Sequence, residues 1–282
     1  MESPSSLSDT AKDYIKKLIY SYYSIAQRTR PPYEYIHILS HMRSGSSLFT
    51  HLLISNPEIC GYGETHVPYD DQNALKRVAG KVLYMLRYFP LPGKERFILD
   101  KALHNHLLEM ENLHLLYGER SHVIFLIREP AGAIASLTGY MQLSREEAVE
   151  YYTSRLHRLG SYVTELSQRK ACSAFTYDQV VHETKEVFSL LEKQLSLKTP
   201  LSEEYNLVRT TGKRGIGDAS SNIFQGTIIR NKPKKREVNL SERESQLAWE
   251  AYHRCFSLLR ENCSMPATSK PDAAYSTDSR HM

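Results

Sequence analysis

The stretch from Tyr35 to Leu53 constrains this fold more than any other part of the chain. It opens on Ile36, Ile38 and Leu39, an apolar run of the length of a buried strand. It turns through Arg43-Ser-Gly-Ser-Ser47, and Leu48, Phe49, Leu52 and Leu53 then recur at helical spacing. Strand, small-residue loop and helix in that order build an anion site. The loop turns consecutive backbone N–H groups inward, and the helix N-terminus adds partial positive charge. Gly45 is free to take a positive φ and lets the backbone approach a ligand. Ser46 and Ser47 are expected to cap the helix and offer hydroxyls to the same anion. Arg43 adds a forked donor suited to phosphate or sulfate oxygens. The plain alternative is an ordinary turn with a helix cap. The Walker pattern is missing, since no Lys precedes the last Ser and the spacing is too short. A kinase or ATPase would therefore lack its phosphate-reaching lysine.

A second strand–loop–helix unit lies downstream. His122-Val-Ile-Phe-Leu-Ile127 is a continuous apolar run typical of a buried parallel strand. Arg128 follows at its end, Pro130 fits the start of a helix, and Ser136 falls one to two turns inside it. Arg96-Phe-Ile-Leu-Asp-Lys101 reads as another strand ending in charge. In open α/β sheets chemistry gathers at the C-terminal strand ends, which places Lys101 near the Arg43 loop. Between these units, Ser55 to His66 reads as a loop that Gly61 and Gly63 bend tightly. Glu64 is the candidate general base within it. His66 and His41 are further candidates, because an imidazole has a suitable ordinary pKa. On spacing alone Glu64 could equally be a surface glutamate, and Lys101 an exposed strand-end lysine.

These segments together resemble the sulfotransferases that use 3′-phosphoadenosine 5′-phosphosulfate (PAPS). Arg43-Ser-Gly-Ser-Ser-Leu48 resembles their 5′-phosphosulfate loop, and Ile127-Arg-Glu-Pro-Ala-Gly-Ala-Ile-Ala-Ser-Leu137 their 3′-phosphate motif. Gly61-Tyr-Gly-Glu-Thr-His66 resembles the segment that carries the base in the tyrosylprotein-type branch. Leu99-Asp-Lys101 resembles the segment whose lysine reaches the transferring group. Lys213-Arg-Gly-Ile-Gly-Asp218 resembles a late loop that folds over the nucleotide, with one residue fewer before Gly-Asp. The resemblance implies a P-loop-type α/β fold, a central parallel sheet flanked by helices. It implies that Arg43, Ser44, Gly45, Ser46, Ser47 and Leu48 hold the 5′-phosphosulfate. Arg128 and Ser136 would hold the 3′-phosphate, with Lys213, Arg214 and Gly215 over the nucleotide. Glu64, Lys101 and Arg43 would be catalytic. The implied donor is PAPS, without a metal, and the acceptor a hydroxyl or phenol. A nucleotide-binding protein without transfer activity and a nucleotide kinase are the alternatives.

Composition adds bounds. The chain has 282 residues, enough for one large domain. Its net charge of +4 suits an anionic ligand and is too small to argue for nucleic acid. Nineteen tyrosines are available to line an acceptor cleft, or for ordinary packing. Cys60, Cys172, Cys255 and Cys263 show no zinc spacing and read as reduced thiols. His104 and His106 lack a third ligand at metal spacing. With no signal peptide and no long apolar run, the expectation is a cytoplasmic enzyme.

The expected layout is an N-terminal tail and amphipathic helix over 1–30, the α/β domain over 31–263, and a polar, disordered tail over 264–282. Within the domain, a helix is expected around 74–88. Ser144-Arg-Glu-Glu147 is a capping box that opens a long helix to about Lys170, with Tyr151 and Tyr152 as core contacts. Residues 171–177 read as a strand, and Asp178 is expected to cap a helix from Gln179 to Leu195. Tyr177-Asp178 also stands where the family often has Tyr-Glu. A second capping box at Ser241-Glu-Arg-Glu244 opens the last helix.

Overall fold

The structure is a computed structural model. It describes residues 31–86, 93–208, 211–212, 221–230 and 238–267, with Ala11, Tyr14, Leu18, Ser21 and Tyr22. The expected N-terminal helix, the loop holding Lys213, Arg214 and Gly215, and residues 268–282 lie largely or wholly outside these.

Five strands form one sheet: β1 (Glu34–Ser40), β2 (Ile59–Cys60), β3 (Phe97–Ala102), β4 (Ser121–Ile127) and β5 (Cys172–Thr176). Their order is β2-β3-β1-β4-β5, and every pairing is parallel. The helices are α1 (Ser46–Ile54), α2 (Ala74–Leu86), α3 (Pro130–Met141), α4 (Arg145–Ser167), α5 (Tyr177–His182), α6 (Thr184–Leu195) and α7 (Glu242–Asn262). This is the expected α/β architecture of P-loop type, with a central parallel sheet between helical layers.

Strand alternation sorts the core into two layers. Ile36, Ile38, Leu99, Ile124 and Leu126 face α1, α5 and α6, where they meet Phe49, Leu52, Val180 and Leu191. Leu39, Ile98, Val123, Phe125 and Ile127 face α2, α3, α4 and α7. Both faces of the central strands are therefore covered, which is why β4 reads as an unbroken apolar run. Phe49, Leu52 and Leu53 are fully buried and fix α1 against the sheet. Each such side chain contributes about 1.5–3 kcal/mol by burial.

The capping boxes at Ser144 and Ser241 form as expected, with Glu147 and Glu244 returning the second bond. Three local expectations are corrected. The loop expected from Ser55 to His66 contains β2, whose two residues are too few to show a strand pattern in sequence. Asp178 does not cap: Thr176 accepts from Gln179 N–H and Gln179 reciprocates. The helix expected from Gln179 to Leu195 breaks at Glu183, where Thr184 Oγ1 donates to the Val180 carbonyl at 2.8 Å. Ser264 forms a parallel bridge with Ser173 beside β5. Among the described residues no helix is long and apolar enough to cross a membrane.

Candidate active site

The loop after β1 carries the first cluster. Arg43 has φ 63 and Gly45 φ 90, both in the left-handed region. Gly45 occupies the N-cap of α1 without any side-chain cap, so neither Ser46 nor Ser47 caps as expected. The left-handed turn instead places Ser44 beneath the helix start. Ser44 Oγ accepts from Ser46 N–H at 3.3 Å and bonds Ser40 Oγ at 2.5 Å. Ser40 Oγ donates on to Leu126 O at 2.7 Å, which ties the loop to β4. A methyl group at Gly45 would overlap the Tyr177 ring. Leu48 packs its side chain into the core, leaving only its backbone N–H for a ligand.

The second cluster grows from the exit of β4. Arg128 N–H donates to His41 Nε2 at 3.0 Å, and its guanidinium lies 4.2 Å over the Tyr177 ring. Arg128 Nη1 donates to Arg43 O at 3.5 Å. Glu129 caps α3 by accepting from Gly132 N–H at 3.1 Å, with Pro130 in the first turn. Gly132 leaves the room that Arg128 occupies, since a Cβ there would run into its guanidinium. One turn beyond Gly132, Ser136 Oγ accepts from Arg43 Nε at 2.7 Å. Arg43 also lies 4.5 Å over the Tyr140 ring. The two sequence motifs are thus in direct contact.

His41 is removed as a base candidate by this geometry. It is fully buried, and Nε2 accepts from Arg128 N–H while Nδ1 bonds Met42 O at 2.8 Å. Burial pushes its pKa down to about 4, so it is neutral and structural.

The third cluster joins β3 to the loop after β2. Adjacent β3 residues point to opposite faces. Lys101 points toward α1, where Nζ donates to Ser47 Oγ at 3.1 Å. Asp100 points the other way and accepts from Thr65 N–H, Thr65 Oγ1 and Tyr69 OH, each at 2.9 Å. Those bonds fix the loop that carries Glu64. Burial raises the Asp100 pKa to about 6, against the hydrogen bonds from Thr65, Tyr69 and the Lys101 backbone that lower it. Glu64 is 7% exposed. Burial raises its pKa, and the charges of Lys101, His66 and Arg155 pull it back. His66, with φ 52, places Nε2 at 3.3 Å from Glu64 Oε2 and is itself exposed.

Helix α4 underlies all three clusters. Tyr151 OH accepts from Met42 N–H at 2.8 Å and donates to Leu103 O at 3.1 Å. Tyr152 OH donates to Arg128 O at 2.6 Å. These rings are core contacts, as expected, but their hydroxyls also hold the loops.

The structure therefore brings Arg43, Ser44, Gly45, Ser46, Ser47, Lys101, Glu64, Arg128 and Ser136 to the C-terminal end of the sheet. Arg43 is oriented to Ser136 and Tyr140, whereas Lys101 reaches Ser47. Sequence reasoning missed Asp100 as a loop anchor, His41 as a backbone acceptor and Tyr177 as the platform under Arg128. The period of two in β3 was the one available signal, since it sets Asp100 and Lys101 on opposite faces. Among the described residues no three His, Cys, Asp or Glu side chains converge as metal ligands.

No family model matches the sequence, and no curated protein does. Solved structures do match the fold. A sulfotransferase domain from the curacin biosynthetic pathway aligns with a TM-score of 0.51 at 18% identity, over 84% of this chain and 100% of that one. A sulfotransferase domain from the Synechococcus PCC 7002 olefin synthase aligns with a TM-score of 0.52 at 17% identity, over 82% of this chain and 95% of that one. The chain has the fold of these sulfotransferase domains.

Proposed function

We propose that this chain transfers a sulfuryl group from PAPS to an acceptor hydroxyl or phenol, and that Glu64 is the base. The observation that carries the reading is a left-handed anion loop whose Ser47 accepts from Lys101 Nζ and whose Arg43 bonds Ser136, with the buried Glu64 on the neighbouring loop that Asp100 holds through Thr65. The fold shared with sulfotransferase domains supports it.

The donor's two anionic ends suit the residues present. Loop residues 43–48 and the α1 N-terminus would hold the 5′-phosphosulfate. Arg128 and Ser136 would hold the 3′-phosphate. Arg128 Nε lies 3.5 Å from Glu129 Oε2, an ion pair without hydrogen-bond geometry, and an anion oxygen would give the guanidinium a better-aligned partner. Lys213, Arg214 and Gly215 are proposed to bind the nucleotide.

The acceptor oxygen attacks sulfur in line with the bond to the 5′-phosphate oxygen. The new S–O bond forms as the old one breaks, and the acceptor proton passes to Glu64. The leaving group is adenosine 3′,5′-bisphosphate. Lys101, with Arg43 at the loop, would stabilise negative charge developing on the departing oxygens. The raised Glu64 pKa makes its carboxylate a stronger proton acceptor than a solvated one. No metal is needed in this scheme.

The test is thermal stabilisation by adenosine 3′,5′-bisphosphate, by adenosine 5′-monophosphate and by ATP with magnesium. A ligand present at 100 times its dissociation constant adds about 2.7 kcal/mol. Selective stabilisation by the bisphosphate, lost in Arg128→Ala, supports the reading, and transfer of radiolabelled sulfate from PAPS completes it. Stabilisation by ATP with magnesium alone replaces it with a kinase. Bisphosphate binding without transfer to any hydroxyl or phenol leaves a nucleotide-binding protein.

A further inference from the structure

Helix α7 ends at Asn262, and the chain then lies along the outer side of β5, the last strand of the sheet. Ser264 N–H donates to Cys172 O at 2.9 Å, and Ala174 N–H donates to Ser264 O at 3.0 Å. These two bonds make Ser173 and Ser264 a parallel pair. One residue back along each chain, Cys172 and Cys263 are therefore neighbours. Cys263 is extended, with φ −123 and ψ 153, so its side chain leaves on the side opposite to Ser264. Both cysteines turn to the layer of α4 and α7, where Cys172 is buried and Cys263 packs against the core.

Paired chains in a sheet stand about 4.8 Å apart. That lies within the roughly 4.4–6.8 Å between Cα atoms that a disulfide spans. Both residues are free thiols, Cys263 is only half-buried, and the two share a hydrogen bond. That bond, with the Lys170 charge behind it, lowers the Cys172 pKa against the effect of burial, and the Cys263 proton is held more tightly in turn. The other two cysteines are placed differently. Cys60 Sγ donates to Phe97 O at 3.4 Å at the opposite edge of the sheet. Cys255 lies inside α7, about two turns before Cys263. A buried cysteine alone is explained as a small apolar side chain. Packing does not call for a second thiol in contact with it on the side that solvent reaches.

We propose that Cys172 and Cys263 form a reversible oxidation site, at which a peroxide joins them in a disulfide that fastens the end of α7 to the edge of β5. Cys263, the more accessible thiol, meets the oxidant. Its sulfur attacks one peroxide oxygen, the O–O bond breaks, and the second oxygen leaves as water. The Cys172 thiolate then attacks the Cys263 sulfur, and the hydroxyl carried there leaves as a second water. The two thiols give up two electrons and two protons, and one hydrogen peroxide is reduced to two waters. A small dithiol reverses the bond by exchange. The link closes the long stretch of chain between Cys172 and Cys263, which constrains the unfolded state. It forms at the start of β5, whereas Tyr177, beside Gly45, follows the far end of that strand.

The experiment treats the folded chain with a small excess of hydrogen peroxide and maps its peptides by mass spectrometry without reduction. The expected product is a linked pair of peptides holding Cys172 and Cys263, which dithiothreitol separates, with Cys60 and Cys255 still open to alkylation after denaturation. The oxidised protein should melt about 5–10 °C above the reduced one. Cys172→Ser should stop at the Cys263 sulfenic acid, which dimedone traps, and should show no such rise. Cys255→Ser should oxidise as the unmutated protein does. Absence of the link, a link to Cys60 or Cys255 or between two molecules, or a Tm that stays level or falls overturns the proposal. The link and the Tm are read on the unmutated chain, so a variant that does not fold leaves the decision intact. No readout uses PAPS or sulfuryl transfer, so the sulfotransferase reading and this one stand or fall separately.

Discussion

Arg43 Nε donates to Ser136 Oγ at 2.7 Å, which couples the loop after β1 to the helix after β4. Two residues assigned to opposite ends of a nucleotide thus act as one unit. Arg43→Ala and Ser136→Ala should each weaken adenosine 3′,5′-bisphosphate binding, by about 1–3 kcal/mol. The double variant should lose less than the sum of the two, because the residues share a bond. Titration calorimetry on the four proteins measures that coupling, and strict additivity would refute it.

Glu64 is predicted to carry the proton transfer and little of the donor binding. Glu64→Gln should lower kcat by about 10²–10⁴-fold while leaving bisphosphate affinity within a few-fold. In the unmutated protein, activity should rise with pH through the raised Glu64 pKa, because the carboxylate is the working form. The limb should vanish in Glu64→Gln, and pH–rate profiles of both proteins show whether it does.

Asp100 gives a stability prediction with a definite sign. Its pKa rises from 3.8 to about 6 on folding, so the folded state binds the proton more tightly than the unfolded chain. The stabilisation is therefore complete below 3.8 and is lost as pH rises through about 6. The loss is on the order of 2–3 kcal/mol. Asp100→Asn has no such titration, so the fall in Tm between these pH values should flatten in that variant. Its activity should drop too, because Thr65 N–H and Oγ1 lose one of the two oxygens that hold the Glu64 loop.

Gly45→Ala should be damaging in two ways. Left-handed backbone at φ 90 costs a Cβ-bearing residue about 1–2 kcal/mol. The added methyl would also push the Tyr177 ring, and with it Arg128, out of place. Urea denaturation should show the first effect, and loss of bisphosphate binding beyond it the second.

Much of this architecture was legible because its signals are local. The apolar run before Arg128, the Pro130 start and the Ser144 and Ser241 boxes are each contained within a few residues, and each forms. The small-residue loop at Arg43 also stands where its strand and helix placed it. What escaped depends on partners far along the chain. Asp100 acts on Thr65 and Tyr69, and His41 on Arg128, pairings that no window of sequence displays. The cap at Asp178 failed for another reason: Thr176 offers an equally good oxygen two residues earlier, and its bond with Gln179 is reciprocal. Such competition is settled by backbone geometry at the end of β5, which the sequence does not state.

The central place of β1 in the sheet has a consequence for how the molecule is made. Both partners of β1 come later in the chain: Glu34 pairs with Phe97 and Tyr35 with Ser121. Loops of that length have to close before pairing gives anything back, so this topology folds slowly. During synthesis the Arg43 loop and α1 emerge long before the strands that brace them. Chains arrested ahead of Ile127 should bind no nucleotide, and in refolding, nucleotide affinity should return in the same kinetic phase as the sheet.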